Sequence, residues 1–132
     1  VEKSFFDSIA DVIRYTVILE PKEYVEQIRS VTDALYEKNW KIYSLKNYWV
    51  NDSFPYNGVN AKFKNSRNYR IEIQFHTQES FDVKMSEEDH ELYEQRRVLE
   101  PGCDEYNRIL QLQLELYSDM EYPENIALLE KI

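Results

Sequence analysis

The chain has 132 residues, of which 42% are hydrophobic and 31% are charged, and this balance is typical of one globular domain rather than of a disordered chain. Because 25 Asp and Glu residues outnumber 16 Lys and Arg residues, the net charge of -9 argues against phosphate-driven binding to duplex DNA. No apolar run approaches the ~20 residues of a membrane span, so we expect no membrane partner.

The start of the sequence and its cysteine content indicate the kind of protein and the redox compartment to which the chain belongs. The sequence opens with Val1 and shows no signal-peptide pattern, so we expect residues 1–132 to be a single domain cut from a longer protein. The single cysteine, Cys103, excludes an internal disulfide and fits a reducing compartment. We interpret Cys103 as structural, because nothing around it marks a nucleophile.

The first half of the chain predicts a strand, a helix and a second strand. Residues 10–19 are rich in β-branched and aromatic side chains, which is typical of a buried strand. A helix is predicted over 20–39, because Pro21 is tolerated in a first turn and the apolar residues that follow have helical spacing. Aromatic and β-branched residues return over 40–49, and a loop is predicted over 50–57.

Two further strands, over about 58–64 and 68–76, form a predicted hairpin. Alternate residues of a strand share a face, so each of these strands has an apolar and a polar face. The polar faces consist of Asn60, Lys62 and Lys64 in the first strand and of Arg70, Glu72, Gln74 and His76 in the second.

The register of this hairpin is predicted from its polar faces, which must coincide. The predicted pairs are Lys64 with Asn68, Lys62 with Arg70, and Asn60 with Glu72. This register leaves a three-residue turn over 65–67, in which Asn65 or Asn68 adopts the left-handed conformation that such turns need.

The rest of the chain is predicted to be helical. Residues 78–99 carry an apolar stripe, and Ser86 is a candidate start of a second helix within them. After a break at Pro101, an amphipathic helix over 104–120 and a short helix over 124–131 follow. The order of elements predicts an α+β (α/β-like) fold with a mixed sheet of four to five strands flanked by helices.

Two carboxylates stand out on the predicted strands. Glu72 sits between two isoleucines in mid-strand, where Glu is disfavoured, and Asp11 opens a mainly apolar strand. One interpretation is a solvated hairpin face for Glu72 and a turn cap for Asp11. The other is a shared Mg²⁺ site for phosphoryl transfer, since Mg²⁺ is typically held by one or two carboxylates with substrate phosphates and water.

Tyr56 is a candidate base platform. It follows Pro55 in the predicted loop, and its ring offers a flat face for a purine, unless it packs beneath the loop instead. His90 lies away from the apolar stripe of its helix, so we do not expect it in the core. With only His76, His90 and one cysteine, a structural zinc site is not expected.

Taken together, these residues resemble the RelA/SpoT-like synthetase domain of the nucleotidyltransferase superfamily, over about residues 9–97. Residues 72–77, Glu-Ile-Gln-Phe-His-Thr, resemble the family's Glu-(Val/Ile)-Gln-Ile-Arg-Thr strand, with His76 in place of the arginine. Residues 56–60, Tyr-Asn-Gly-Val-Asn, occupy the place of its Gly-Tyr-x-Ser-Leu-His segment. Asp11, with the hydrophobic strand after it, fits the family's first metal aspartate.

Two shorter segments extend the resemblance. Lys46-Asn47-Tyr48 resembles the family's Lys-Asp-Tyr, and residues 90–93, His-Glu-Leu-Tyr, resemble its His-x-x-Tyr. The phrases around Asp11 and Glu72 look most like a divergent branch found in toxin-type and phage-associated proteins. The helical part over 98–132 lies outside the resemblance.

The resemblance implies a nucleotidyltransferase-like fold and pyrophosphoryl transfer. The β,γ-diphosphate of ATP would move to the 3′-hydroxyl of GDP, GTP or an adenine nucleotide, or of an RNA 3′ end. Asp11 and Glu72 would be catalytic and hold Mg²⁺, and Tyr56 would stack on the acceptor base. The other residues assigned to nucleotide binding are Arg14, Lys46, Asn60, Lys62, Arg70, Gln74, His76 and His90.

A second hypothesis is a non-catalytic descendant of this fold, a nucleotide-binding or protein-interaction module within a larger phage or secreted protein. The family's basic ATP-binding segment lies upstream of the first strand, where only Lys3 and Ser4 stand here. An Arg- and Lys-rich segment before Val1 in the full-length protein would favour the enzyme. The resemblance implies a bacterial cytoplasmic protein, or one delivered as a toxin or associated with a phage.

Overall fold

The structure, a computed structural model, describes residues 13–129. Its strands are β1 (Arg14–Ile18), β2 (Lys41–Asn47), β3 (Val59–Lys64) and β4 (Arg70–His76). They form one mixed sheet in the order β1-β4-β3-β2, in which β1 runs parallel to β4 and the other neighbours are antiparallel. The predicted α+β fold with a mixed sheet is therefore confirmed.

Helices flank this sheet, and most of them lie close to their predicted places. They are α1 (Tyr24–Glu37), α2 (Gln78–Lys84), α3 (Glu87–Arg97) and α4 (Asp104–Ser118), with 3-10 turns at Tyr48–Val50 and Ile126–Leu128. Ser86 caps α3 through its side chain, as its position in the sequence predicts. Within residues 13–129, no helix is long and apolar enough to cross a membrane.

Two helices differ most from the prediction. Helix α1 begins at Tyr24 instead of residue 20, because residues 21–23 form a turn. The predicted helix over 124–131 is only a single 3-10 turn in the described part of the chain. Asn125 precedes this turn with a φ of 60°, a left-handed conformation that is incompatible with a continuous α-helix.

The hydrophobic core lies between α1 and one face of the sheet. Tyr24, Val25 and Ile28 of α1 pack against the apolar side chains that alternate along the strands. The strand residues of the core are Leu45, Val59, Ala61, Phe63, Ile73 and Phe75, and Trp49 and Ile126 complete it. This packing leaves the second face of the sheet to the polar side chains.

The register of the hairpin differs from the prediction by two residues. Lys62 lies opposite Glu72, Asn60 opposite Gln74, and Lys64 opposite Arg70. The predicted pairs of Lys64 with Asn68, Lys62 with Arg70 and Asn60 with Glu72 are wrong. Both registers keep the two polar faces together, because side chains alternate with a period of two, so burial alone does not separate them.

The turn between β3 and β4 sets the observed register. Asn65 N donates to Tyr69 O at 3.0 Å, which makes Ser66, Arg67 and Asn68 the three-residue loop. Asn68 has a φ of 64° and is the left-handed residue, as one of the two predicted alternatives has it. The side chain of Asn65 accepts hydrogen bonds from the backbone N–H groups of Arg67 and Tyr69 and stabilises this closure.

Candidate active site

Two rows of polar side chains cross the second face of the sheet. The first row consists of Arg14, Glu72, Lys62 and Ser44, in the order of the strands. The second row consists of Thr16, Gln74, Asn60 and Lys46. These eight residues together with His76 are called the polar face below. The prediction that the polar residues of the hairpin strands share one face is confirmed.

Glu72 is the carboxylate of this face, and it is buried. Its side chain is only 6% exposed, and the Nε of Arg14 on the neighbouring parallel strand lies 3.3 Å from its Oε2. Lys62 is its direct neighbour on the antiparallel side. Gln74 and His76 are buried as well, so the interpretation of a solvated outer face is wrong. Glu72 is thus a shielded negative charge between two cations.

Lys84 contacts the polar face from helix α2, although its position in the sequence does not reveal this contact. It lies in the last turn of α2, and its Nζ donates to Gln74 Oε1 at 2.8 Å. Burial and the charge of Arg14 lower the pKa of Lys84, while the Glu72 carboxylate opposes that shift. A lysine on a short amphipathic helix normally points to solvent, so the sequence pattern carries no signal for this contact.

Tyr56 is half-buried and is held by its hydroxyl group. The hydroxyl donates to Asn60 Oδ1 at 3.0 Å and lies 3.0 Å from His76 Nε2. Its ring makes edge contacts with the rings of Tyr48 and Phe54, with centroids 5.1 and 6.5 Å apart. Burial and the Glu72 carboxylate raise the pKa of Tyr56, so the hydroxyl stays protonated near neutral pH.

The C-terminal helices anchor the loop that carries Tyr56. Asn57 is buried and its Nδ2 donates to the backbone oxygen of Tyr117 on α4 at 2.6 Å. The Tyr117 hydroxyl in turn donates to Asp89 of α3 at 3.2 Å. Helices α3 and α4 therefore stabilise the loop next to Tyr56, although α4 lies outside the segment on which the family resemblance rests.

Not every predicted site residue lies in this cluster. Asp11 lies outside the described residues, so its position relative to Glu72 is not part of the structure. His90 is exposed on α3, as expected, and its side chain makes no hydrogen bond to other residues in 13–129. Arg70 lies opposite Lys64 at the turn end of β4, with its guanidinium 5.5 Å from the ring centroid of Tyr43. Lys46 is exposed at the β2 edge of the polar face.

Among residues 13–129, the carboxylate that the polar face offers to a metal ion is Glu72. Over residues 13–129, no group of three or more His, Cys, Asp or Glu side chains is arranged to hold an ion. A protein cage for zinc or calcium is therefore not formed by this part of the chain. One carboxylate, completed by substrate phosphates and water, still matches the sparse protein coordination that Mg²⁺ typically accepts.

The buried His76 predicts a pH-dependent stability. Burial, and then the charge of Lys84, lower the pKa of His76 to about 4, against an ordinary value of 6.5. Between these two values the unfolded chain binds a proton at His76 that the folded chain does not, so stability decreases as the pH falls through this window. We expect this residue to account for a loss of roughly 2 kcal/mol in the free energy of unfolding between pH 7 and pH 5.

Urea denaturation of wild type, His76→Gln and His90→Gln at both pH values checks this expectation. The exposed His90 is the matched control, so His90→Gln should keep the pH dependence of wild type and His76→Gln should lose part of it. Equal pH dependence in all three proteins would show that His76 titrates as it does in the unfolded chain.

Comparisons with known proteins support the fold. No protein-family model matches the chain, and no curated protein sequence matches it. A chain in the crystal structure of the complex between the type VI effector Tas1 and its immunity protein is similar, with a TM-score of 0.59 and 22% sequence identity. The match covers 83% of this chain and 66% of that chain, which is slightly under two thirds of its length. It shows a shared fold and supports a distant relation at most.

Proposed function

We propose that this domain is a Mg²⁺-dependent pyrophosphokinase, which transfers the β,γ-diphosphate of ATP to the 3′-hydroxyl of GDP, GTP, an adenine nucleotide or an RNA. The observation that carries the proposal is a buried carboxylate, Glu72, on a sheet face that also carries Arg14 and Lys62 and that Lys84 contacts from helix α2. The RelA/SpoT-like resemblance of residues 72–77 supplies the reaction. The likeness to a chain from an effector–immunity complex supports a toxin context.

The charge distribution supports binding of a polyphosphate. The chain as a whole has a net charge of -9, which repels anions. On the polar face and α2, however, Arg14, Lys46, Lys62 and Lys84 lie together with the single carboxylate Glu72. This local excess of positive charge offsets the charge of a triphosphate. We propose that Lys84 takes part of the ATP-binding role that the resemblance gives to a basic segment upstream of β1.

Glu72 fits a Mg²⁺ ligand, with Asp11 as the second carboxylate that the resemblance implies. When bound, Mg²⁺ supplies charge stabilisation to the phosphates of the donor. Glu72 would hold the ion through a carboxylate oxygen, while the Nε of Arg14, 3.3 Å from its Oε2, helps to fix the orientation of the carboxylate. The side-chain oxygen of Gln74 accepts a hydrogen bond from Lys84 and so fixes the position of the Lys84 ammonium group.

The proposed transfer is an in-line displacement at the β-phosphorus of ATP. The 3′-oxygen of the acceptor forms a bond to Pβ, the bond between Pβ and the α–β bridging oxygen breaks, and AMP leaves. Glu72 accepts the proton of the 3′-hydroxyl. Positioning and charge stabilisation dominate such transfers, so the protein needs only to hold the two substrates and shield them from water. Tyr56 contributes its exposed ring surface to the acceptor base.

A non-catalytic nucleotide-binding module is the second candidate, and one observation favours it. The Glu72 carboxylate has a cation on each side, Arg14 at 3.3 Å and Lys62 across the strand pair, so its charge is offset without a metal ion. In this case the polar face binds nucleotide phosphates without transferring them.

Incubation of the protein, in its full-length form, with labelled ATP and a panel of acceptors tests the proposal. The panel contains GDP, GTP, AMP, ADP and tRNA, and the products are separated by chromatography. A labelled acceptor product supports the enzyme. ATP binding by calorimetry with no product from any acceptor supports the module, and absence of both overturns the proposed function.

Lys84→Gln is expected to weaken ATP binding about 10- to 100-fold, because hydrogen bonds to charged groups contribute roughly 1.5–3 kcal/mol. Lys22→Gln is the matched control, since Lys22 is exposed just before α1. Calorimetric titration at two salt concentrations checks the prediction. The two variants should differ most at low salt, where charge attraction is least screened. Equal affinities for ATP would remove Lys84 from the phosphate site.

A further inference from the structure

His76 connects the end of β4 to the loop that carries Tyr56. Its side chain is fully buried, with Nε2 3.0 Å from the Tyr56 hydroxyl and Nδ1 2.9 Å from Ser80 Oγ. Ser80 is fixed in turn, since it forms a reciprocal capping box with Thr77 at the start of α2. One partner of His76, Ser80, is therefore fixed at the start of α2, and the other partner, Tyr56, lies in the loop before β3.

Both ring nitrogens of His76 have a hydrogen-bond partner, Nε2 the Tyr56 hydroxyl and Nδ1 the Ser80 hydroxyl. The neutral ring donates through one nitrogen and accepts through the other. Each hydroxyl also has a second acceptor in reach, since the Tyr56 hydroxyl lies 3.0 Å from Asn60 Oδ1 and the Ser80 hydroxyl 3.2 Å from Thr77 O. The hydroxyl group of Tyr56 thus has two partners before any ligand binds.

Gly58 shows how closely the backbone passes this pair. A Cβ atom at position 58 would lie 3.0 Å from His76 Cε1 and 3.0 Å from the Tyr56 hydroxyl oxygen. Both neighbours are buried or held by hydrogen bonds, so they have little room to move. A side chain at position 58 would therefore have to push the Tyr56–His76 pair aside by a few tenths of an ångström.

We propose that His76 is a positioning residue, which orients the Tyr56 ring through its hydroxyl and thereby raises the affinity for the acceptor nucleotide. The role in acceptor binding rests on the proposed function, whereas the orientation of Tyr56 does not. An aromatic platform that is already ordered loses less side-chain freedom when a base binds. Removal of the His76–Tyr56 contact is expected to weaken acceptor binding about 3- to 10-fold.

Two amide substitutions at position 76 separate the two contacts of the imidazole. The side-chain amide of Gln extends to the position of Nε2, whereas the shorter side chain of Asn reaches only the position of Nδ1. His76→Gln therefore keeps a hydrogen-bond partner for the Tyr56 hydroxyl, and His76→Asn keeps only a partner for Ser80. If the contact with Tyr56 orients the ring, His76→Asn lowers the order of the ring and the affinity for the acceptor, and His76→Gln restores most of both.

Two readouts are measured on these variants and on Tyr56→Phe. NMR relaxation of the labelled Tyr56 ring reports its order without any nucleotide. Calorimetric titration with GDP and with AMP, in the absence of ATP, reports acceptor affinity. We expect a mobile ring and a 3- to 10-fold weaker affinity in His76→Asn, and both values close to wild type in His76→Gln. Tyr56→Phe should weaken the affinity for the acceptor to a similar degree. Combined with His76→Asn, it should cause no further loss of affinity.

The outcomes distinguish this inference from the proposed function. Equal ring order in His76→Asn and His76→Gln overturns the positioning role, whatever the nucleotides do. A difference in ring order with no binding of either nucleotide to wild type confirms that His76 orients Tyr56 and overturns the role of Tyr56 in acceptor binding. Full additivity of His76→Asn and Tyr56→Phe also contradicts the inference, because two residues that act through one contact cannot be independent.

Discussion

Glu72→Gln is expected to lower the rate of diphosphate transfer about 100- to 10,000-fold, the range typical of the loss of a positioned proton acceptor. The substitution preserves the size and shape of the side chain and removes its charge. Arg14, at 3.3 Å, then lacks its anionic partner, and the acceptor hydroxyl lacks its base. Steady-state kinetics with saturating ATP and acceptor measure the effect.

Glu26→Gln is the control for this variant. Glu26 is exposed on α1, which covers the opposite face of the sheet, so the same chemical change there should leave the transfer rate as it is in wild type. Thermal denaturation of both variants separates a catalytic effect from unfolding. A folded Glu72→Gln protein with the wild-type rate would contradict the assignment of Glu72 as the catalytic carboxylate.

Tyr24→Phe is expected to lower the free energy of unfolding by about 2–4 kcal/mol, although it removes a single oxygen atom. The Tyr24 hydroxyl is fully buried, donates to the backbone oxygen of Phe75 and accepts from Trp49 Nε1 at 3.0 Å. Its loss leaves the indole N–H and the carbonyl short of a partner in the core. A buried polar group without its partner costs roughly 1–3 kcal/mol.

Urea denaturation of Tyr24→Phe and of Tyr36→Phe measures this effect with a matched control. Tyr36 lies on the same helix but is 64% exposed, so water replaces any partner of its hydroxyl. Tyr36→Phe should change the stability by less than about 0.5 kcal/mol. If the two variants lose similar stability, the Trp49–Tyr24–Phe75 chain does not stabilise the core as described.

The sequence predicts the elements of the fold well because their patterns are strong. The alternation along residues 70–76 separates an apolar from a polar face, and both faces are found in the structure. The predicted register of the hairpin was wrong for a physical reason. A shift of two residues conserves this alternation, and the choice depends on Asn65, whose side chain closes the turn through the backbone of Arg67 and Tyr69.

The candidate site was predicted in part. Glu72 stands out as a carboxylate in mid-strand, and the strand pairing brings Arg14 and Lys62 to its two sides. The contacts of Lys84 with Gln74 and of His76 with Tyr56 join residues on different elements. Such contacts depend on how helices and loops pack on the sheet, and neither periodicity nor spacing carries that information.

The identity of the bond that breaks in ATP tests the central claim most directly. The protein is incubated with Mg²⁺, ATP labelled at the γ-phosphate and the acceptor panel, and AMP and labelled acceptor are quantified together. The proposed transfer predicts one AMP for each labelled acceptor, with both products lost in Glu72→Gln. Release of ADP and labelled orthophosphate, or no AMP with any acceptor, would contradict the assignment of this domain as a pyrophosphokinase.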